Sequence, residues 1–438
     1  MFRRLFLAAV AAAFAFAAAP ASASNDGVAN GEMLRTWYRL VLELVRHTPT
    51  YSPPVASRAF AYLGVAAYEA AASGDPTLRT LAGQLNALTP LTAREAGRTY
   101  DEGVVLQAAV AFGAKNFFSH TGPTGQRALA AMERKLKAGA ARGVDADIAA
   151  RSEAFGQALG AHILAWSDTD GGAVVENMGF PLQYTLTAGP AHWVPTSLVR
   201  QQQLPLLPDW GGNRTFATPS GKDCSLPPPP AYSEDKNSEF YKQALEVYET
   251  VNNLTPEQRD IARFWSDDPM LSPTPPGHWI SIAMEILDGE KADAARSADV
   301  LARLGVAVAD GFIGCWSEKF RYDLVRPVTY IRRLIDPKWE TLLITPPFPE
   351  YPSGHSTQSG AAAAVLTAFF GEHFAFEDRT HEDDGLAARQ FASFHAAAEE
   401  AGISRLYGGI HFRAAIELGI EQGHCIGAYA VRLTTVRR

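Results

Sequence analysis

Pro347-Phe348-Pro349-Glu350-Tyr351-Pro352-Ser353-Gly354-His355-Ser356 changes character halfway along its length. Prolines at 346, 347, 349 and 352 hold the chain extended, and each pushes the residue before it off helical angles. Ser353, Gly354 and His355 then arrive where the alanine-rich run that follows, Ser356 to Phe370, must start as a helix. The first turn of a helix has unpaired N–H groups and the positive end of the macrodipole, and glycine lets an anion approach the backbone. The stretch therefore reads as an oxyanion cradle. A histidine inside it titrates near neutrality and can pass a proton to or from the bound species. A plainer reading fits the same residues: Ser353 caps a core helix and His355 is a buried polar residue. Taken alone, the motif weighs the two evenly.

Outward from this stretch the chain is helical. Leu34, Tyr38, Leu42 and Val45 keep helical spacing from Gly31 to about Thr48. Val55 to Ser73, Thr92 to Phe118, Pro123 to Ala140 and Asp145 to Ser167 carry the composition of strong helix formers. Residues 169–235 are rich in proline and glycine and show no period, which suits either the mouth of a site or an irregular connector. Helices are expected again at Ser238 to Val251, Thr255 to Trp265, Gly277 to Asp288, Glu290 to about Lys319, and from Asp323 to Ile335. Beyond the cradle helix, Leu386 to Ala401 and Phe412 to Leu433 complete the set. The fold class is all-α: two four-helix-bundle-like halves, 24–168 and 236–438, joined by the connector.

The 438 residues are 47% hydrophobic and 20% charged, ordinary for a globular chain. Arg3 and Arg4, an apolar run from Leu5 to Ala19 and Ala21-Ser22-Ala23 read as an export signal over 1–23. The run is too short and alanine-rich for a membrane span, and Arg3-Arg4-Leu5-Phe6-Leu7 resembles the twin-arginine signature. The expected location is secreted or periplasmic, with no stable membrane insertion. Losing those two arginines takes the formal charge from -8 to -10, which argues against nucleic acid as a general partner. Attraction for anions must then be local. Cys224, Cys315 and Cys425 fit no metal spacing and allow one disulfide, whose pairing the sequence leaves open.

Two further clusters sit on either side of the cradle. Lys319 and Arg326 are seven apart and would share one face of a continuous helix, among Trp316, Phe320 and Tyr322. Ser404-Arg405-Leu406-Tyr407-Gly408-Gly409-Ile410-His411 places a histidine where a glycine pair breaks the run. Lys-x6-Arg-Pro, Pro-Ser-Gly-His and Ser-Arg-x5-His together resemble the three-part signature of vanadium-dependent haloperoxidases and type-2 phosphatidic acid phosphatases. Trp316, the run from Pro347 to His355, and Ile261 to Asp268 with the prolines that follow resemble the chloroperoxidase type more closely.

The resemblance implies that Lys319, Arg326 and Arg405 hold the oxygens of vanadate, with the Ser353 hydroxyl and the Gly354 N–H completing the cage. Arginine suits a tetrahedral oxyanion because its donors form a planar fork, and lysine adds a compact charge. It implies His411 as the vanadium ligand and His355 as the acid/base group. The mechanism it implies has Lys319 polarising bound peroxide and halide attacking an oxygen to give hypohalous acid, with vanadium keeping its oxidation state as a Lewis acid. Peroxide, halide and an organic acceptor are the implied partners. Phe348 and Trp316 are the halide-pocket candidates; bromoperoxidase-type members have a second histidine where Phe348 stands. One departure is Ala415, where the superfamily pattern has an aspartate that orients the histidine; Asp268 or Glu417 are the stand-ins considered. The alternatives are a secreted acid phosphatase working through a phosphohistidine in the same cage, and a noncatalytic anion-binding protein.

Overall fold

The computed structural model describes residues 25–197 and 204–437; the expected export signal lies outside them. Helices α1 (Asn25–Arg46), α2 (Pro53–Ala72), α3 (Glu102–Phe117), α4 (Pro123–Ala140) and α5 (Ala146–Ser167) precede the connector. After it come α6 (Glu239–Asn252), α7 (Pro256–Phe264), α8 (Thr274–Gly289), α9 (Ala294–Tyr322), α10 (Pro327–Leu334), α11 (Gly354–Phe370), α12 (Phe394–Tyr407) and α13 (Arg413–Val431). Among the described residues the only sheet pairs β1 (Phe376–Asp378) with β2 (Arg389–Phe391), antiparallel. No described helix is long and apolar enough to cross a membrane. The chain is all-α, as the sequence implies.

Three expected helices are placed differently. Residues 92–101 do not join α3, because Gly97 takes a left-handed φ of 74° and Asp101 caps the helix by accepting from the Val104 N–H at 2.9 Å. The helix expected from Leu386 begins at Phe394, after β2, where Ser393 accepts from the Ala396 N–H at 3.1 Å, and it runs on through Arg405. Lys319 and Arg326 do not share a continuous helix. Asp323, left-handed at φ 47, ends α9 four residues past Lys319, and Arg326 stands at the N-cap of α10.

A continuous cluster of buried apolar side chains runs from Leu34 on α1 through α2, α3, α9 and α11 to Ala430 on α13. Small residues bring its helices together. A Cβ on Gly64 of α2 would meet Ala302 Cα at 2.8 Å, and one on Gly305 of α9 would meet Ala61 Cα at 2.9 Å. On α13, a Cβ at Gly423 would stand 2.1 Å from the Thr357 carbonyl oxygen of α11. A second cluster, with Phe240, Tyr330, Tyr351, Phe412 and Ala415, packs on the far side of the cradle.

The described parts of the connector are tied down at several points. Asp170 takes Arg58 at 2.6 Å and the Tyr62 hydroxyl at 2.8 Å. Asp310 of α9, fully buried, accepts the N–H groups of Phe216, Ala217 and Thr218 at 2.6, 2.8 and 2.9 Å. Leu206 donates its N–H to the Pro347 carbonyl at 2.8 Å, which sets the connector against the proline stretch. Cys224 is bonded to Cys425 of α13, and Cys315 is a buried free thiol.

Candidate functional site

Four segments meet at the N-terminus of α11: the end of α9, Arg326, the proline stretch, and the turn between α12 and α13. Ser353 is the N-cap of α11, its hydroxyl oxygen accepting the Ser356 N–H at 3.3 Å and leaving its own hydrogen to donate. Gly354 and His355 are the first helical residues, so their N–H groups have no acceptor within the helix. A cavity of 470 Å³ opens here, lined by Gly354, His355, Arg405, His411, Asp268, Trp316 and Phe348, with Met178, Leu271 and Ile344 at its rim.

Beneath the cavity lie three buried cations. Lys319 spends its three donors on carbonyls of the proline stretch, Pro349 and Glu350 at 3.0 Å and Pro352 at 2.5 Å. Arg326 donates to the Phe348 carbonyl at 2.9 Å and to the Ile410 carbonyl at 2.8 Å. Arg405 donates to the Trp265 carbonyl at 2.7 Å. Although no helix joins them, Lys319 and Arg326 converge, each 5.1 Å from the centre of the Phe348 ring. Trp316 stacks obliquely on that ring with centroids 4.9 Å apart, so both halide-pocket candidates form one aromatic wall. Burial presses the Lys319 ammonium down to about 7, with the Arg326 charge adding to it. Burial likewise lowers Arg326 to about 9 and Arg405 to about 10. Cations so desolvated gain from an anion among them.

Both histidines are neutral. Burial, then the Arg405 charge, holds His355 well below its ordinary value; for His411 the causes are burial, then Arg326, Lys319 and Arg405. Nε2 of His411 lies 3.2 Å from Arg326 Nη1, and Nδ1 lies 2.8 Å from Glu350 Oε1. The carboxylate against His411 is thus Glu350. Asp268 stands instead by Arg405; burial raises its carboxyl above the ordinary value and the Arg405 charge offsets only part of that, while Glu417 is a surface residue paired with Arg413.

Behind His355 runs a buried network that no motif marks, apart from His278, which follows Pro276-Gly277. His278 is held at Nδ1 by Asp267 at 3.0 Å and at Nε2 by Asp378 at 2.8 Å, and it stacks on Trp265. His381 joins Asp267 at 3.1 Å to Asp384 at 2.8 Å. Asp267, His278 and His381 bring ligand atoms within 4.8 Å of one another, as a cation site would, but those atoms are spent on one another. Burial opposes charge on both partners, yet Asp267 and Asp378 hold His278 protonated up to about 10, and His278 and His381 hold Asp267 well below the usual carboxylate range. Asp267 also reaches 3.9 Å from His355 Nε2.

The donor set fits a tetrahedral oxyanion. Arg326 Nη2 and Arg405 Nε are buried donors without a hydrogen-bond partner, an arrangement that is costly unless something accepts from them, and His355 Nε2 is buried and unpartnered as well. Ser353 and Gly354 add an O–H and an N–H from the helix start.

Fold and site together define a helical-bundle protein built around an oxyanion-binding helix N-terminus flanked by two neutral histidines. The family model of the VCPO second helical-bundle domain matches residues 299–437. The crystal structure of a bacterial vanadium-dependent iodoperoxidase superposes with a TM-score of 0.85 and 38% identity, covering 93% of this chain and 98% of that one. This chain belongs to the vanadium-dependent haloperoxidase family. A holo-type bacterial vanadium-dependent chloroperoxidase, 16% identical, shares the fold at a TM-score of 0.66 over 88% of this chain and 92% of its own. The vanadium chloroperoxidase of Curvularia inaequalis is 28% identical over 190 residues, which take in 36% of this chain and 31% of that protein.

Glu350 is the site contact that reading the sequence missed. Two signals were present: it is the only acid in the rigid run 346–352, and Ala415 leaves His411 without the usual aspartate.

Proposed function

We propose that this protein oxidises halide with hydrogen peroxide to hypohalous acid, using vanadate held at the start of α11. The observation that carries the reading is a pair of unpartnered donors around the neutral His411: Arg405 lines the same cavity as His411, and Arg326 lies 3.2 Å from its Nε2. Bound vanadate supplies a Lewis acid that activates peroxide toward halide. Arg326, Arg405, the Ser353 hydroxyl and the Gly354 N–H hold its oxygens, and His411 Nε2 is the ligand to vanadium. Lys319 contributes its buried charge, since its hydrogens are engaged by the proline stretch. His355 is neutral and takes the proton that peroxide gives up on binding. Iodide is the first halide to test, because the 38% identical structure is that of an iodoperoxidase. The apolar rim of Met178, Leu271 and Ile344 suits an apolar organic acceptor. Export is supported by the sequence of residues 3–23 and by the Cys224–Cys425 disulfide, which suits an oxidising compartment.

Phosphate-free protein assayed with and without orthovanadate tests this reading. Peroxide-dependent iodide oxidation that requires vanadate is expected, with little p-nitrophenyl phosphate hydrolysis. Hydrolysis inhibited by vanadate, with no oxidation of iodide or bromide at any pH, would instead establish the phosphatase.

A further inference from the structure

We infer that Glu350 is the positioning residue that fixes the tautomer and orientation of His411, in place of the aspartate that the superfamily pattern puts at 415. The inference rests on the reading of His411 as the residue that binds vanadate.

A guanidinium has donors only, so at 3.2 Å from Arg326 Nη1 the His411 Nε2 must present a lone pair. A neutral imidazole with a bare Nε2 carries its hydrogen on Nδ1. That hydrogen needs an acceptor, and Glu350 Oε1 stands 2.8 Å away. The same oxygen accepts the Phe412 N–H at 2.8 Å, so it faces two donors and cannot itself carry the proton. Glu350 thereby orients the ring and the backbone next to it at once. Its own backbone is fixed on both sides: its N–H donates to the Leu324 carbonyl at 3.0 Å, and its carbonyl accepts from Lys319 at 3.0 Å. The side chain is fully buried.

Ala415 explains why the acid moved. It is fully buried and lines the same small void as Glu350 and Phe412, a void of about 10 Å³. An aspartate at 415 would bring a second carboxylate into the space beside Glu350, with no room for water to separate them. One carboxylate fits there, and this chain supplies it from the proline stretch.

The test uses the full-length mature protein and the Glu350→Ala and Glu350→Gln variants, each checked for fold by near-UV circular dichroism. Orthovanadate affinity is read by calorimetric titration, and the His411 ring nitrogens by ¹⁵N NMR of histidine-labelled protein, assigned through His411→Ala. In the wild type His411 should show a protonated Nδ1 and a bare Nε2. Glu350→Ala should weaken vanadate binding 10- to 100-fold, the range for losing a partner of a ligating histidine, and mix the tautomers. Glu350→Gln, whose amide oxygen still accepts both hydrogens, should keep the tautomer and lose less affinity than the alanine variant. Wild-type His411 protonated at Nε2 would overturn the inference even if the alanine variant did not fold. So would Glu350→Ala binding vanadate as tightly as wild type. A wild-type protein that binds no vanadate would sink the haloperoxidase reading, while the NMR result would still decide the role of Glu350.

Discussion

Gly423→Ala is a single methyl that should both strain the fold and disable the site. The added Cβ would lie 2.1 Å from the Thr357 carbonyl oxygen, 2.8 Å from Ala361 N and 2.9 Å from Gly360 Cα. All three are backbone atoms of α11, so no side chain can swing away, and the two helices must part by roughly 1 Å to restore van der Waals distances. Overpacking of this kind costs about 1–3 kcal/mol, set against about 1 kcal/mol gained by removing a glycine from a helix. For a chain of this size unfolding entropy is roughly 0.9 kcal/mol per degree, so the melting temperature moves by only about 2 °C and denaturant titration is the sharper assay. The larger effect falls on function. The first turn of α11 forms the cradle and His411 lies just before α13, so parting these helices shifts one against the other. A displacement of about 1 Å in such a site costs on the order of 100-fold in turnover. Gly139→Ala is the control: on exposed α4 with no atom within 4 Å, it should stabilise by about 0.5–1 kcal/mol and leave turnover alone. Gly423→Ala with an unchanged denaturation midpoint and unchanged vanadate-dependent turnover would refute the reasoning.

Arg405→Lys keeps the charge but loses the fork, and at about 1.5–3 kcal/mol for a hydrogen bond to a charged group it should weaken vanadate binding roughly 10- to 100-fold; titration at an unchanged affinity would count against Arg405 as a holder of the oxyanion. His278 is held protonated, with a folded value near 10 above an unfolded value of about 6.5, so its contribution to stability is complete below the lower value and disappears as pH rises through the upper one. Stability should therefore fall between those limits by up to about 1.4 kcal/mol per pH unit, and His278→Gln should flatten the slope in a denaturation series across that range. The disulfide joins residues 201 apart in sequence, worth about 5 kcal/mol of chain entropy. Reductant should lower the denaturation midpoint of the wild type and leave Cys224→Ser/Cys425→Ser unaffected, and equal responses would contradict the bond's role.

Where sequence and structure agree, local chemistry decides the outcome. Helices α4 and α5 follow from strong helix formers started by Pro123 and by the Asp145 cap, whose side chain accepts the Asp147 N–H at 2.9 Å. The cradle was legible because prolines, a capping serine and a glycine act over a few residues. Long-range contacts were not. Lys319 and Arg326 come together through Phe348 and a left-handed turn at Asp323, although a straight helix would also have paired them. Glu350 reaches His411 across 61 residues, and His278 meets Asp378 across 100, distances over which no periodicity carries information. The Cys224–Cys425 pairing follows only once the connector is seen folded against α13.

Vanadate binding at the N-terminus of α11, against His411, is the point on which the proposed function turns. A crystal grown with orthovanadate, examined for anomalous scattering from vanadium, tests it most directly. One strong peak is expected within bonding distance of His411 Nε2, ringed by Arg326, Arg405 and the Gly354 N–H. A fully folded crystal with no peak there, or with its peak among Asp267, His278 and His381, would contradict it.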